Sequence, residues 1–178
     1  MPGRPQRVVV AGVSGCGKSS LAAGIGQLLD LPYTEMDALY HGPHWTPRAS
    51  FLDEVEALVA GERWVTEWQY SSARPLLAAR ADLLVWLDLP YPLVLWRVVR
   101  RTLRRRLRRE VLWNGNREGP LRTFFTDPEH VVRWSWRSRH VYDAQVPALG
   151  AERPNLAIVR LRSRRQVERW IGDLGSRT

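Results

Sequence analysis

Arg7-Val8-Val9-Val10-Ala11 running into Gly12-Val13-Ser14-Gly15-Cys16-Gly17-Lys18-Ser19 is the stretch that decides how this chain folds. The apolar run reads as a short buried strand, and the eight residues after it complete the spacing G-x-x-x-x-G-K-[ST] of a phosphate-binding loop. Leu21, Ala22, Ile25, Leu28 and Leu29 then recur at helical spacing, so the loop sits at a strand-to-helix corner. At such a corner the backbone N–H groups opening the helix converge on an anion, and the helix dipole favours negative charge. Gly12, Ser14, Gly15, Cys16 and Gly17 are expected to cradle the phosphates of ATP, with Lys18 on the β- and γ-phosphates and the Ser19 hydroxyl on Mg²⁺. Ser20 reads either as helix surface or as a secondary α-phosphate contact. All 27 basic residues of the chain except Lys18 are arginine. A lysine ammonium is a compact charge on a flexible stem and suits a crowded glycine loop, which a rigid guanidinium fork does not.

At 178 residues the chain reads as one domain, 1–178, large enough to bury a core without staples. Its one cysteine, Cys16, excludes an internal disulfide, and a cysteine inside the loop reads as a small filler rather than a nucleophile. The start has no apolar signal core, and no stretch approaches the ~18 uninterrupted apolar residues of a membrane span. A cytoplasmic protein with no membrane partner is expected. The net charge of +9 invites nucleic acid as a partner. Arginine in place of lysine almost everywhere, alongside abundant Ala, Val, Leu and Gly, looks instead like coding bias. The positive charge is also concentrated in one segment.

Five strands alternate with helices along the chain. They are 7–11, a short one from Tyr33 to Met36 ending at Asp37, one from Trp64 ending near Glu67, the wholly apolar Leu83 to Leu87 ending at Asp88, and Leu156 to Val159. Helices are expected at about 18–29, from a Ser50 cap to Gly61, from Ser72 to Ala81, after Pro92, after Asp127-Pro128, and from about Arg164. Continuous apolar strands between helices argue an α/β fold, a five-stranded parallel sheet covered on both faces, with ligands at the strands' carboxyl ends. After Pro92, Leu95, Val99, Leu103 and Leu107 recur every four residues, with Arg97, Arg101, Arg104, Arg105 and Arg108 on the other side. Trp113-Asn114-Gly115-Asn116-Arg117-Glu118-Gly119-Pro120 reads as a turn-rich tip, and a return helix carries Arg133 and Arg137. Together, about 97–140 reads as an arginine-rich helical lid. Trp86 and Trp96 read as core.

The loop Gly12 to Ser19, Asp37, the Trp64 to Tyr70 stretch, Arg74, Leu87-Asp88-Leu89-Pro90 and the arginine-rich flap resemble the adenylate kinase-like small P-loop kinases. Within them the chain is most similar to the group known as DNA topology modulation proteins or AAA-family ATPases. The resemblance covers nearly the whole chain and implies the P-loop NTPase fold, a lid closing over ATP, and an acceptor between strands two and three. By position it implies Asp37 as the carboxylate meeting Mg²⁺ or the acceptor, and Arg74 as the grip on an anionic acceptor group. Glu67-Trp68 stands where relatives show Asp-Gly, which must reshape the acceptor pocket. Gly12-Val13-Ser14-Gly15 also resembles the loop of gluconate-type sugar-acid kinases.

Phosphoryl transfer asks mainly for positioning and charge neutralisation. Lys18 and the lid residues Arg101, Arg105, Arg133 and Arg137 are the candidates for neutralisation, Asp37 for orienting the acceptor, and Glu67 for a water-mediated contact to Mg²⁺. Trp45, Trp68 and Tyr70 offer aromatic faces to a base or sugar. The histidines lack the spacing of a metal site. The leading reading is a kinase acting on a nucleotide, nucleoside or other small hydroxylated metabolite. The alternative, less favoured, is a nucleic-acid-binding P-loop ATPase acting as a switch. The Asn-Lys-x-Asp guanine motif of GTPases cannot exist in a chain whose one lysine is Lys18.

Overall fold

The computed structural model describes residues 4–108, 110–116 and 140–176. Four strands form one parallel sheet: β1 (Arg7–Gly12), β2 (Trp64–Glu67), β3 (Leu83–Leu87) and β4 (Ala157–Leu161), in the order β2-β1-β3-β4. Side chains alternate across this sheet, and that alternation builds two cores. Val8, Val10, Leu83, Val85 and Leu87 face α1 (Lys18–Leu29), and Val9, Ala11, Leu84 and Trp86 face the other way. The second face is covered by α3 (Phe51–Ala60), α4 (Arg74–Arg80) and α6 (Val141–Glu152), through Phe51, Val55, Leu77, Tyr142 and Val146. The last helix, α7 (Arg164–Gly175), lays Val167, Trp170, Ile171 and Leu174 on the α1 side. Each such side chain taken from water contributes about 1.5–3 kcal/mol, so strands that alternate into two apolar layers have no solvent face to misregister.

Four strands stand where five were expected. The Tyr33 to Met36 segment makes a single parallel bridge, Tyr33 with Val65, and then turns into α2 (Met36–Tyr40). Its backbone explains why: Pro32 has no N–H to give, and the Met36 N–H is taken by the Glu67 carboxylate at 2.9 Å rather than by a strand. Asp37 therefore stands in the first turn of a short helix, not at a strand end. The Ser50 hydroxyl does not cap α3; it donates to Glu54 Oε1 at 2.7 Å.

The long helix α5 (Tyr91–Leu107) forms as expected but turns a different face inward. Val94, Val98 and Thr102 are buried, whereas Leu103 and Leu107 are exposed. Trp96, expected in the core, is 56% exposed and lies under Arg100, because two positions from Val94 carry it around the helix. Trp86 is buried as expected. Among the described residues no helix is long and apolar enough to cross a membrane.

Candidate active site

The loop between β1 and α1 is shaped by three glycines with left-handed backbone: Gly12 (φ 147°), Gly15 (φ 84°) and Gly17 (φ 103°). A Cβ at Gly15 would stand 2.3 Å from Val98 Cγ2 and 3.1 Å from the Val94 carbonyl of α5. The loop and α5 are thus in contact at a point only glycine allows. We expect Gly15→Ala to lower stability by about 1–3 kcal/mol through overpacking and to weaken nucleotide binding as the loop shifts. Denaturant melts together with nucleotide titration check this, and parental values in both would show that α5 does not brace the loop. Gly17 caps α1 with no side-chain hydrogen bond, leaving the helix's opening N–H groups to a ligand.

Lys18 Nζ curls back to the Val13 carbonyl at 3.4 Å. Two guanidiniums of α5 lie on the same loop: Arg97 Nη1 donates to Cys16 O at 3.2 Å and Arg101 Nη2 to Ser14 Oγ at 3.4 Å. Arg101 was among the sequence candidates and Arg97 was not. The signal for Arg97 was its spacing of four from Arg101, one turn along the face that meets the loop. Cys16 is buried in the α1-side core, and burial pushes its thiol up despite Lys18 and Arg97 nearby, so it packs as a filler. Ser20 is exposed on α1.

Beyond β2 lies an acidic cluster. Glu67 is 1% exposed; its Oε1 accepts from the Tyr33 hydroxyl at 2.7 Å and its Oε2 from the Met36 N–H. Burial, then the bond to Glu67, pushes the Tyr33 hydroxyl well above its ordinary value, and it stays protonated. Asp37 Oδ1 accepts from Gln69 Nε2 at 2.5 Å and from the Tyr70 hydroxyl at 2.7 Å. Glu35, which the sequence reading passed over, accepts from Trp113 Nε1 at 2.8 Å. Burial raises its carboxyl, the Trp113 bond opposes that, and the charges of Glu67 and Asp37 add to the rise.

An aromatic wall adjoins the cluster. Tyr40 and Tyr70 stack at 4.0 Å, His41 packs against Trp45 and Trp113, and Tyr70 Oη meets His41 Nε2 at 3.2 Å. Because the Tyr70 proton goes to Asp37, His41 Nε2 donates to Tyr70. Burial lowers the His41 pKa and keeps the ring neutral. His44, Trp45 and Tyr70 all have positive φ, near 60°. Non-glycine residues held there cost about 1–3 kcal/mol each and gather at functional sites. Trp45 is 38% exposed.

The segment after α5, expected as a turn-rich tip, is docked at its start. Asn116 is buried and bridges the wall, donating Nδ2 to Gly42 O at 2.9 Å and accepting from Trp45 N at 3.1 Å. Asn114 donates to His41 O. Arg105 lies over the Trp113 ring at 5.6 Å and pairs with Glu110 at 3.9 Å, which ties it to the wall. Trp68 is 4% exposed, with Nε1 on Arg74 O at 3.1 Å, so its ring belongs to the core rather than to an open acceptor face. Arg74 lies over the Trp68 and Tyr142 rings and donates Nη1 to Gln145 Oε1 at 2.5 Å, bracing α4 against α6. Asp88 is paired with Arg160 at 2.8 Å. Arg133 and Arg137, with the return helix and the rest of the expected lid, lie outside the described residues. Among the described residues no group of three His, Cys, Asp or Glu could by itself hold a metal ion.

No protein-family model matches the chain, and no curated protein matches it in sequence. Solved structures do match it in three dimensions. A gluconokinase from Sinorhizobium meliloti 1021 aligns with a TM-score of 0.54 at 19% identity, over 98% of this chain and 95% of that one. A shikimate kinase from Acinetobacter baumannii, in complex with shikimate, aligns at 0.55 and 15% identity over 95% and 90%. A shikimate kinase from Bacteroides thetaiotaomicron aligns at 0.50 and 13% identity over 97% of both chains. With its parallel sheet between two helical layers, the chain has the α/β fold of the small P-loop kinases.

Proposed function

We propose that the protein is an ATP- and Mg²⁺-dependent kinase that transfers the γ-phosphoryl group to a hydroxyl of a small acceptor held against the Asp37 and Trp45 wall. One observation carries the reading. A complete phosphate loop stands at the end of β1, and past the end of the neighbouring β2 Asp37 has one oxygen fixed by Gln69 and Tyr70, leaving Oδ2 to receive an acceptor proton.

The residues fit magnesium. The Ser19 hydroxyl would give the ion one hard oxygen, and Glu35, Asp37 and Glu67, whose charges bear on one another, would supply negative surroundings beside the oxygens of phosphate and water. Bound there, the ion would neutralise charge on the β- and γ-phosphates. Lys18 would draw the same oxygens, and Arg97 and Arg101 would add charge from the lid side. Arg133 and Arg137 keep the part assigned from the sequence, as closing arginines. Trp45 and Tyr70 would hold the acceptor ring between the wall and the loop. The affiliation we favour is the DNA topology modulation group, on Asp37 and the Trp64 to Tyr70 stretch, and with it a cytoplasmic location.

The test incubates the protein with ATP and Mg²⁺ and a panel of nucleosides, nucleotides, sugar acids and aminoglycosides, following ADP. The same assay is then run with single-stranded and duplex DNA. At least one small acceptor is expected to raise ADP release well above the rate in water. Stimulation by DNA alone would replace the kinase with a nucleic-acid-dependent ATPase.

A further inference from the structure

We propose that His41 is a positioning residue for phosphoryl transfer: through the Tyr70 hydroxyl it holds the Asp37 carboxylate with one oxygen left for the acceptor. This rests on the kinase reading above. The Tyr70 oxygen lies 2.7 Å from Asp37 Oδ1 and 3.2 Å from His41 Nε2. A carboxylate only accepts, so the single phenolic proton goes to Asp37 and the imidazole must carry its own proton on Nε2. The other ring nitrogen agrees. His41 Nδ1 is buried with no hydrogen-bond partner among the described residues, and a bare lone pair is a smaller loss there than an orphaned N–H. A hydroxyl committed to an acceptor on one side and a donor on the other has lost its rotation, and each bond polarises the next. Asp37 Oδ1 is thereby held by Tyr70 and by Gln69 Nε2 at 2.5 Å, and Oδ2 is left over.

The fold places the three side chains for this. Asp37 and His41 stand at the two ends of α2, where side chains one turn apart share a face, and the His41 N–H closes that turn on the Asp37 carbonyl at 3.0 Å. Tyr70 reaches the pair from beyond β2 with its backbone at φ 61°, a conformation that persists in a non-glycine residue only where the surroundings over-determine it. The imidazole is fixed in turn. It stacks on Trp113 at 6.1 Å, meets Trp45 and Tyr40 edge to face at 5.1 Å each, and its carbonyl accepts from Asn114. As packing alone this ring is a poor choice, because a phenyl group would fill much the same space without burying an unpaired nitrogen. What the imidazole adds is the N–H on Tyr70.

Two substitutions separate the donor from the ring. His41→Phe keeps an aromatic ring and removes the donor; His41→Gln keeps an N–H near the place of Nε2 and removes the ring. With ATP, Mg²⁺ and the compound of the panel that releases ADP fastest, His41→Phe should lower kcat by about 10–10²-fold, the scale of misplacing a reacting group by about 1 Å, with KM for ATP unchanged. Its thermal melt should lie at or above the parent's. His41→Gln should melt lower and yet recover most of the lost kcat. Tyr70→Phe, which removes only the hydroxyl, should reproduce the fall, and adding His41→Phe to it should lower kcat no further, since the path runs through that hydroxyl. Nitrogen NMR of the imidazoles reads the chain without turnover: the His41 signal, assigned by its loss in His41→Gln, should show the proton on Nε2, exchanging faster in Tyr70→Phe. Parental kcat in His41→Phe, a kcat that follows the melting temperature rather than the donor, or a His41 proton on Nδ1 overturns the proposal and leaves the kinase reading standing. A parent that transfers phosphate to no compound of the panel overturns the kinase reading, and this role with it.

Discussion

Lys18→Ala is expected to cut phosphoryl transfer by at least about 10²-fold while leaving the fold intact, the usual consequence of removing one preorganised charge at a developing anion. The structure makes the separation clean. The Lys18 side chain donates to the Val13 carbonyl, and its backbone opens α1, where alanine is at least as good a helix former. Neither core loses a methyl group. Lys18→Arg should fail almost as badly, because a planar fork cannot replace a compact ammonium in a loop whose Gly12 and Gly15 have no space even for a Cβ. Steady-state kinetics beside a circular dichroism melt measures both. Wild-type turnover by a folded Lys18→Ala protein would remove the phosphate loop from the mechanism.

Asp37→Asn carries the second large effect. The substitution keeps an oxygen for Gln69 and Tyr70 but removes the charge and puts an amide where the free oxygen stood. If that oxygen takes or orients the acceptor proton, kcat for transfer should fall by about 10²–10⁴-fold. Nucleotide affinity should change little, because Lys18, Ser19 and the loop amides are untouched. The slow reaction with water is the internal control. Loss of transfer with hydrolysis retained separates an acceptor role from a general loss of the site. Transfer at the parental rate by Asp37→Asn would sink the acceptor assignment and leave the phosphate loop standing.

The part of this molecule that is local in sequence could be read from it. The β1 run, the glycine loop and the helix from Lys18 to Leu29 follow from spacing alone, because one motif fixes strand, turn and helix together. The apolar strands β3 and β4 were legible for the same reason. What could not be read depends on where side chains send their hydrogen bonds. Tyr33 to Met36 has the composition of a strand, yet Glu67, more than thirty residues away, captures the Met36 amide and ends it. On α5 two apolar stripes compete, Leu95–Val99–Leu103 and Val94–Val98–Thr102, and contact with Gly15 selects the second. Arg74 and Trp68 were plausible ligand contacts on residue type, and only the packing of α4 on α6 shows them holding each other. Glu35 and Trp113 find each other across the fold, and nothing in either one's neighbourhood announces the pair.

The central claim is that phosphate leaves ATP for an organic hydroxyl. A single-turnover reaction with ATP labelled in the γ-phosphoryl group, carried out with Mg²⁺ and the best acceptor of the panel, tests it most directly. The expected result is label in an organic phosphate ester, formed by the parent and lost in Lys18→Ala and Asp37→Asn. Label appearing only as inorganic phosphate, at a rate raised by DNA and indifferent to Asp37→Asn, would contradict it.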